Sequence, residues 1–110
     1  MSSPRFFLKL NDLLPPLVFN INPAQSLSTA TVTLRYQLNA PGSHTAVTKT
    51  CTVIDALYGT CAYQWLPGDI TVAGEYFLEF IATFPGGNVV TFPNDGYTLL
   101  EVTPVLPLAL

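Results

Sequence analysis

The sequence predicts an all-β fold of two antiparallel sheets packed face to face. Three observations carry this. Short segments alternate apolar and polar residues with a period of two, which places one face of each strand in a core. No window shows an apolar stripe of helical period. The ten prolines and seven glycines fall mostly between the alternating segments, where they end pairing and supply turns.

Each element follows in order. Residues 2–17 are apolar, and Leu14-Pro15-Pro16-Leu17 stiffens the entry to a strand at 18–21. Ala30, Val32, Leu34, Tyr36 and Leu38 alternate with Thr31, Thr33, Arg35 and Gln37, which predicts a half-buried strand. Pro41-Gly42-Ser43 marks a loop. Residues 44–54 are rich in Thr and Val and read as one strand. Residues 55–59 form a turn in which Gly59 supplies a positive φ. Residues 60–65 return with Cys61, Tyr63 and Trp65 on one face. Pro67-Gly68-Asp69 breaks the pairing. Residues 74–84 make the longest strand, with Tyr76, Leu78, Phe80, Ala82 and Phe84 on its inner face. Pro85-Gly86-Gly87-Asn88 is a hairpin turn, residues 89–92 return, and residues 97–102 close the domain.

About seven short antiparallel strands with regular turn signals predict an immunoglobulin-like β-sandwich, with Trp65 and the inward aromatics filling its core. At 110 residues the chain reads as a single domain, its core at about residues 9–102, with apolar extensions at both ends. No internal repeat or low-complexity tract is visible.

Composition narrows the function. Hydrophobic residues make up 49% of the chain and charged residues only 10%, against roughly 25% in ordinary soluble domains. So few charges imply that other protein covers part of the surface. Every apolar run is interrupted long before the roughly 18 residues of a membrane-spanning helix. The net charge of −3, with Arg5, Lys9, Arg35 and Lys49 scattered, argues against nucleic acid. No signal-peptide pattern is visible at the start. Cys51 and Cys61 read as free, buried thiols of a reducing compartment. If the strands pair around the 55–59 turn, Cys61 lies opposite Val53. Cys51 is then on the diagonal, where a bridge does not reach.

Catalytic groupings are missing from the pattern. His44 is the only histidine, and its neighbour Ser43 points to the opposite side of an extended chain, so the two make a poor dyad. One histidine and two cysteines ten apart do not supply a metal-ligand set, and no phosphate-binding glycine loop is present. Glu75 and Glu79 share the outward face of the long strand. They are separated by roughly 13 Å at about 3.3 Å per residue, too far to share chemistry, and read as solvating charges. The chain therefore reads as a non-enzyme without cofactor or metal. More suggestive are Phe77 and Ile81 on the same outward face, which form an apolar stripe with Leu99 if the last strand lies alongside.

Several blocks resemble one known family. Lys9-Leu10-Asn11-Asp12 with Pro15-Pro16-Leu17, Ala30-Thr31-Val32-Thr33-Leu34, Val53-Ile54-Asp55 through Gly59 with Tyr63-Gln64-Trp65, and Ala73-Gly74-Glu75-Tyr76 through Pro85-Gly86-Gly87 are similar in order and spacing to the immunoglobulin-like domain at the N-terminus of phage baseplate upper proteins. That domain also occurs as small stand-alone proteins of tailed phages. The most specific piece is Thr91-Phe92-Pro93-Asn94-Asp95-Gly96-Tyr97. The resemblance covers about residues 9–102 and departs at Phe6-Phe7-Leu8 and after Glu101.

The resemblance implies a virion structural protein of the tail, baseplate or head-tail region. Such a protein is assembled in the bacterial cytoplasm in multiple copies and acts through contacts with other virion proteins. The expected contact residues are Phe6, Phe7 and Leu8 at one end, Val105, Leu106, Leu108 and Leu110 at the other, and the Phe77, Ile81 and Leu99 stripe. Capsid decoration is the second reading. A third is a carbohydrate-binding sandwich touching the host surface, for which Tyr58 in its turn is the candidate aromatic.

Overall fold

A computed structural model describes residues 5–21, 26–42, 45–93 and 96–105. The strands are β1 (Arg5–Lys9), β2 (Leu17–Asn20), β3 (Thr31–Leu38), β4 (Val47–Thr50), β5 (Thr52–Asp55), β6 (Thr60–Tyr63), β7 (Gly74–Thr83), β8 (Val89–Phe92) and β9 (Thr98–Thr103). They form two sheets and, among the described residues, no helix. The larger sheet has six strands in the order β1-β9-β7-β3-β4, with β8 also paired to β7; the smaller has the order β2-β6-β5. All pairings are antiparallel except β1 with β9. The arrangement is sandwich-like, and one hydrophobic cluster draws on both sheets.

Strand β7 is the spine of the larger sheet. Along one edge it pairs with the whole of β3, from Leu38↔Tyr76 to Thr31↔Thr83. Its inner row of Tyr76, Leu78, Phe80 and Ala82 is buried, as the alternation predicts, and Val32, Leu34 and Tyr36 of β3 lie beside it. Across the sandwich, Phe19 of β2 stacks on Phe80, with ring centroids 3.8 Å apart and planes 20° from parallel. Trp65 is buried edge-on to Tyr63 and Tyr36. Burying a side chain of this kind is worth about 1.5–3 kcal/mol.

Several predicted strand ends shift by one or two residues, with β2 at Leu17–Asn20, β6 ending at Tyr63 and β7 at Thr83, and three further boundaries change. Residues 44–54 are not one strand: β4 belongs to the larger sheet and β5 to the smaller. Cys51 is the crossing point, its N–H still donating to the Val32 carbonyl at 2.8 Å. The Thr and Val alternation runs through both pieces, so its period carries no mark of the switch. The apolar start, read as an extension outside the core, is a strand of the larger sheet whose partner is the far end of the chain, Arg5↔Leu99 through Lys9↔Thr103. The closing strand begins at Thr98, one residue later than predicted.

The 55–59 turn has Gly59 at φ 78°, and Val53 lies opposite Cys61, as expected. Both thiols are free, Cys61 buried and Cys51 half-buried. Burial, with a smaller contribution from Cys61, pushes the Cys51 thiol up to about 12, which keeps it protonated and unreactive.

The two sheets are also joined by a polar bracket built on Asp69, whose side chain is 5% exposed. Its Oδ2 accepts from the Tyr63 hydroxyl and from the Leu66 N–H at 2.8 Å. Its Oδ1 lies 3.1 Å from Lys49 Nζ. Its backbone carbonyl accepts from the Tyr36 hydroxyl at 2.9 Å. Tyr36 and Lys49 belong to the larger sheet and Tyr63 to the smaller, so this one residue ties both. Burial by itself raises the Asp69 carboxyl. The bonds from Tyr63, the Leu66 N–H and Lys49 outweigh it and hold the group below the ordinary carboxylate value.

Replacing Asp69 by Ala leaves the buried Tyr63 hydroxyl and the Leu66 N–H without their acceptor, and about 3 kcal/mol of stability is lost. Asp69→Asn keeps an acceptor and loses the charge, at about 1–2 kcal/mol, because Lys49 is partly solvated. The lowered folded-state pKa means the carboxylate's contribution is complete at neutral pH and fades as pH falls through that value. Urea unfolding of wild type and Asp69→Asn therefore converges below about pH 4.

Candidate functional site

The outer face of the larger sheet follows from the register. Cross-strand partners set its rows: Arg5, Leu99, Phe77 and Gln37 in one, Phe7, Glu101 and Glu75 in the next, and Arg35 with Glu79 in another. Arg35 and Glu79 are opposite charges within a row, whereas Glu75 and Glu101 are like charges side by side, with Arg5 of the neighbouring row reaching both. Arg5 Nη1 lies 3.2 Å from Glu75 and 4.0 Å from Glu101, and Arg35 Nη1 lies 3.6 Å from Glu79. Asn39 Nδ2 donates to Glu75 Oε1 at 3.0 Å. Glu75 and Glu79 thus serve different cations. At this exposure each pair is worth well under about 1 kcal/mol, so the pairs set the character of the face more than its stability.

The predicted contact residues separate into groups. Phe77 and Leu99 are direct cross-strand partners on this face, both half-buried. Ile81 shares the face but is only 7% exposed, flanked by Thr33 and Thr91, so it offers almost no surface. Phe7 also faces outward and is 64% exposed. Leu8 points the other way, is 6% exposed and belongs to the core, with Phe6 packed against that core. The Phe6-Phe7-Leu8 run is therefore an ordinary edge strand with alternating faces, and only Phe7 is open to a partner. Val105 is exposed; Leu106, Leu108 and Leu110 lie outside the described residues, as do Ser43, His44 and Asp95.

One residue that the alternation did not single out completes this face. Strands β8 and β9 both pair with the same edge of β7: Phe80 pairs with Phe92 and Leu78 with Thr98. Glu79 lies between these two pairings. Gly96 is at φ 74°, and Tyr97 after it stands over the outer face, its ring 5.1 Å from that of Phe77 at 44° and 50% exposed. The only trace of this in the sequence is Pro93 and Gly96 breaking an otherwise continuous final strand.

Beside the aromatic pair is a depression of about 380 Å³, lined by Arg35, Gln37, Phe77, Glu79 and Tyr97, with Tyr36 and Ala46 at its margin. A smaller one of about 170 Å³ lies at the end of the sandwich between the 11–13 turn and the 65–70 loop. Two carboxylates line it, Asp12 and Asp69, and Asp69 is already engaged by Tyr63, Leu66 and Lys49. Among the described residues no group of three or more His, Cys, Asp or Glu side chains is placed to hold a metal ion. Nor is any helix long and apolar enough to cross a membrane.

The outer face of the smaller sheet differs. Val18, Asn20, Thr52, Ile54, Thr60 and Ala62 are uncharged, Asp55 opposite Thr60 is the one ionised side chain of its described strands, and Val18 and Ile54 are exposed. The adjoining turn adds exposed Leu57 and Tyr58. Asn20 Nδ2 holds this turn through the Tyr58 carbonyl at 2.7 Å, and the Tyr58 N–H donates to Asp55 Oδ1 at 3.1 Å. Neither depression includes Tyr58.

No protein-family model matches the sequence, and no curated protein shows significant similarity to it.

The split within the N-terminal strand has a direct consequence. Leu8→Ala removes a core side chain and costs about 2–5 kcal/mol in urea unfolding. Phe7→Ala, one residue away, stays within about 0.5 kcal/mol of wild type.

Proposed function

We propose that this chain is a structural subunit of a tailed-phage virion, an immunoglobulin-like domain of the tail, baseplate or head-tail region that works by burying surface against neighbouring virion proteins. The observation that carries the reading is the ordered set of blocks from Lys9 to Val102, ending in the Thr91–Tyr97 run, that resembles the baseplate upper protein domain. Fold alone would not license it.

The strand order supports the immunoglobulin-like part. In that fold one sheet holds strands C, F and G, with further strands beyond C in some members, and the other holds B, E and D. Here β9-β7-β3-β4 takes the places of G, F, C and the strand beyond it, and β2-β6-β5 takes those of B, E and D. Strand β1 is attached to the last strand, and β8 and β9 share one edge position. Antibody domains place a disulfide between strands B and F; this chain stacks Phe19 on Phe80 there. A departure is Trp65, which follows the E-position strand instead of sitting on C.

The surface supports the assembly part. An outer sheet face with Asp55 as its one described charge, extended by exposed Leu57 and Tyr58, suits burial against protein better than exposure to water. Capsid decoration remains the competing location and is separated by stoichiometry in the particle.

The test uses particles produced by the host that carries this gene. Mass spectrometry of purified particles finds the full chain in multiple copies; its absence overturns the reading. A chain ending at Val105 keeps β9 whole, including the Leu10 N–H bond to the Thr103 carbonyl at 2.8 Å, and so folds with native unfolding behaviour. If the apolar tail is a contact element, this shortened chain fails to incorporate. Normal incorporation shows that the contacts lie elsewhere.

A further inference from the structure

We infer that the depression beside Tyr97 is a binding site for a neutral saccharide, an inference that does not depend on the virion reading. Four features define the ligand.

The first is the aromatic platform. Tyr97 is half exposed and backed by Phe77 at 5.1 Å. A ring fixed from behind and open in front offers a flat apolar surface, which suits the C–H face of a pyranose. It loses little conformational entropy on binding, because the side chain is already held.

The second is the polar wall. Arg35 and Glu79 are cross-strand partners on the same face and pair at 3.6 Å. A guanidinium carries five N–H donors and a carboxylate about four acceptor positions, so one contact between them leaves donors and acceptors side by side. A hydroxyl both donates and accepts, and a row of hydroxyls matches such a wall.

The third is charge. An unpaired guanidinium beside an aromatic ring selects phosphate or carboxylate. Here Glu79 neutralises Arg35, and no other ionised side chain among the described residues lines the depression. These two charges cancel, which fits a ligand with none.

The fourth is size. About 380 Å³ is at the small end of ligand sites, roughly 300–1,000 Å³. It takes one or two sugar rings. Tyr58, the other exposed aromatic in a turn, lines neither depression, and the polar side chains beside it, Asp55 and Asn20, are engaged with its own backbone.

The test is an NMR titration of the ¹⁵N-labelled full chain with glucose, galactose, N-acetylglucosamine and their short oligomers, with glucuronate as the charged control. At least one neutral sugar produces saturable shifts at the amides of Gln37, Glu79 and Tyr97. The shifts disappear in Tyr97→Ala, weaken at least threefold in Glu79→Gln, and are unchanged in Tyr58→Ala. Glucuronate binds more weakly than the neutral sugar. Tyr97 is exposed and Glu79 lies on the sheet surface, so both variants keep the wild-type spectrum elsewhere. Glu79→Gln retains the side-chain shape if the loss of the Tyr97 ring disturbs its loop. Four results overturn the site: no saturable shift with any of these sugars, shifts that map to Tyr58, shifts that persist in Tyr97→Ala, or tighter binding of glucuronate.

Discussion

The Asp69 carboxylate, 5% exposed, collects a tyrosine hydroxyl and a backbone N–H on one oxygen and a lysine on the other. A second tyrosine reaches its backbone carbonyl. Burying such a group without partners is prohibitive, so the chain must present all of them together. Doing so aligns β3, β4, β6 and the 66–69 turn relative to one another. Trp65 sits between the same two tyrosines, so the aromatic packing at this end of the sandwich and the polar bracket depend on one geometry. Lys49 has a further effect. It lies on the inner side of an edge strand, and an inward-pointing charge on an edge discourages pairing with a foreign strand.

Away from the bracket, the larger sheet is organised by β7 and by how its second edge is shared. β9 covers one half of that edge and β8 the other, and Tyr97, just before β9, stands on the outer face against Phe77. The two sheets present different exteriors. One has ion pairs, an aromatic platform and a polar wall. The other carries Asp55 alone among its described strands. A protein with 10% charged residues places most of them on one side and in the internal bracket, which leaves the other side suited to lasting contact with protein.

Much of this was legible in the chain. The alternation of β3 and β7, the 55–59 turn with its glycine, the pairing of Val53 with Cys61 and the 85–88 hairpin all follow from local pattern, because strand period and turn chemistry act over a few residues. The Phe77–Leu99 contact was legible too, given only that the final strand lies beside the long one. Other features were not. Leu8 and Phe7 were read together as an exposed apolar end, and the switch of sheet at Cys51 was invisible.

The sequence by itself determined the all-β class, the inner and outer faces of the long strands, the turns and the scarcity of charge. These are properties of neighbouring residues and survive without knowledge of the rest. Only the tertiary structure decided that Arg5–Lys9 joins the sheet through the opposite end of the chain, that Asp69 is a bracket and not a mere turn residue, and that Tyr97 stands over Phe77. Each of these depends on which distant segments meet, and a residue's own neighbours in the chain carry no record of that choice.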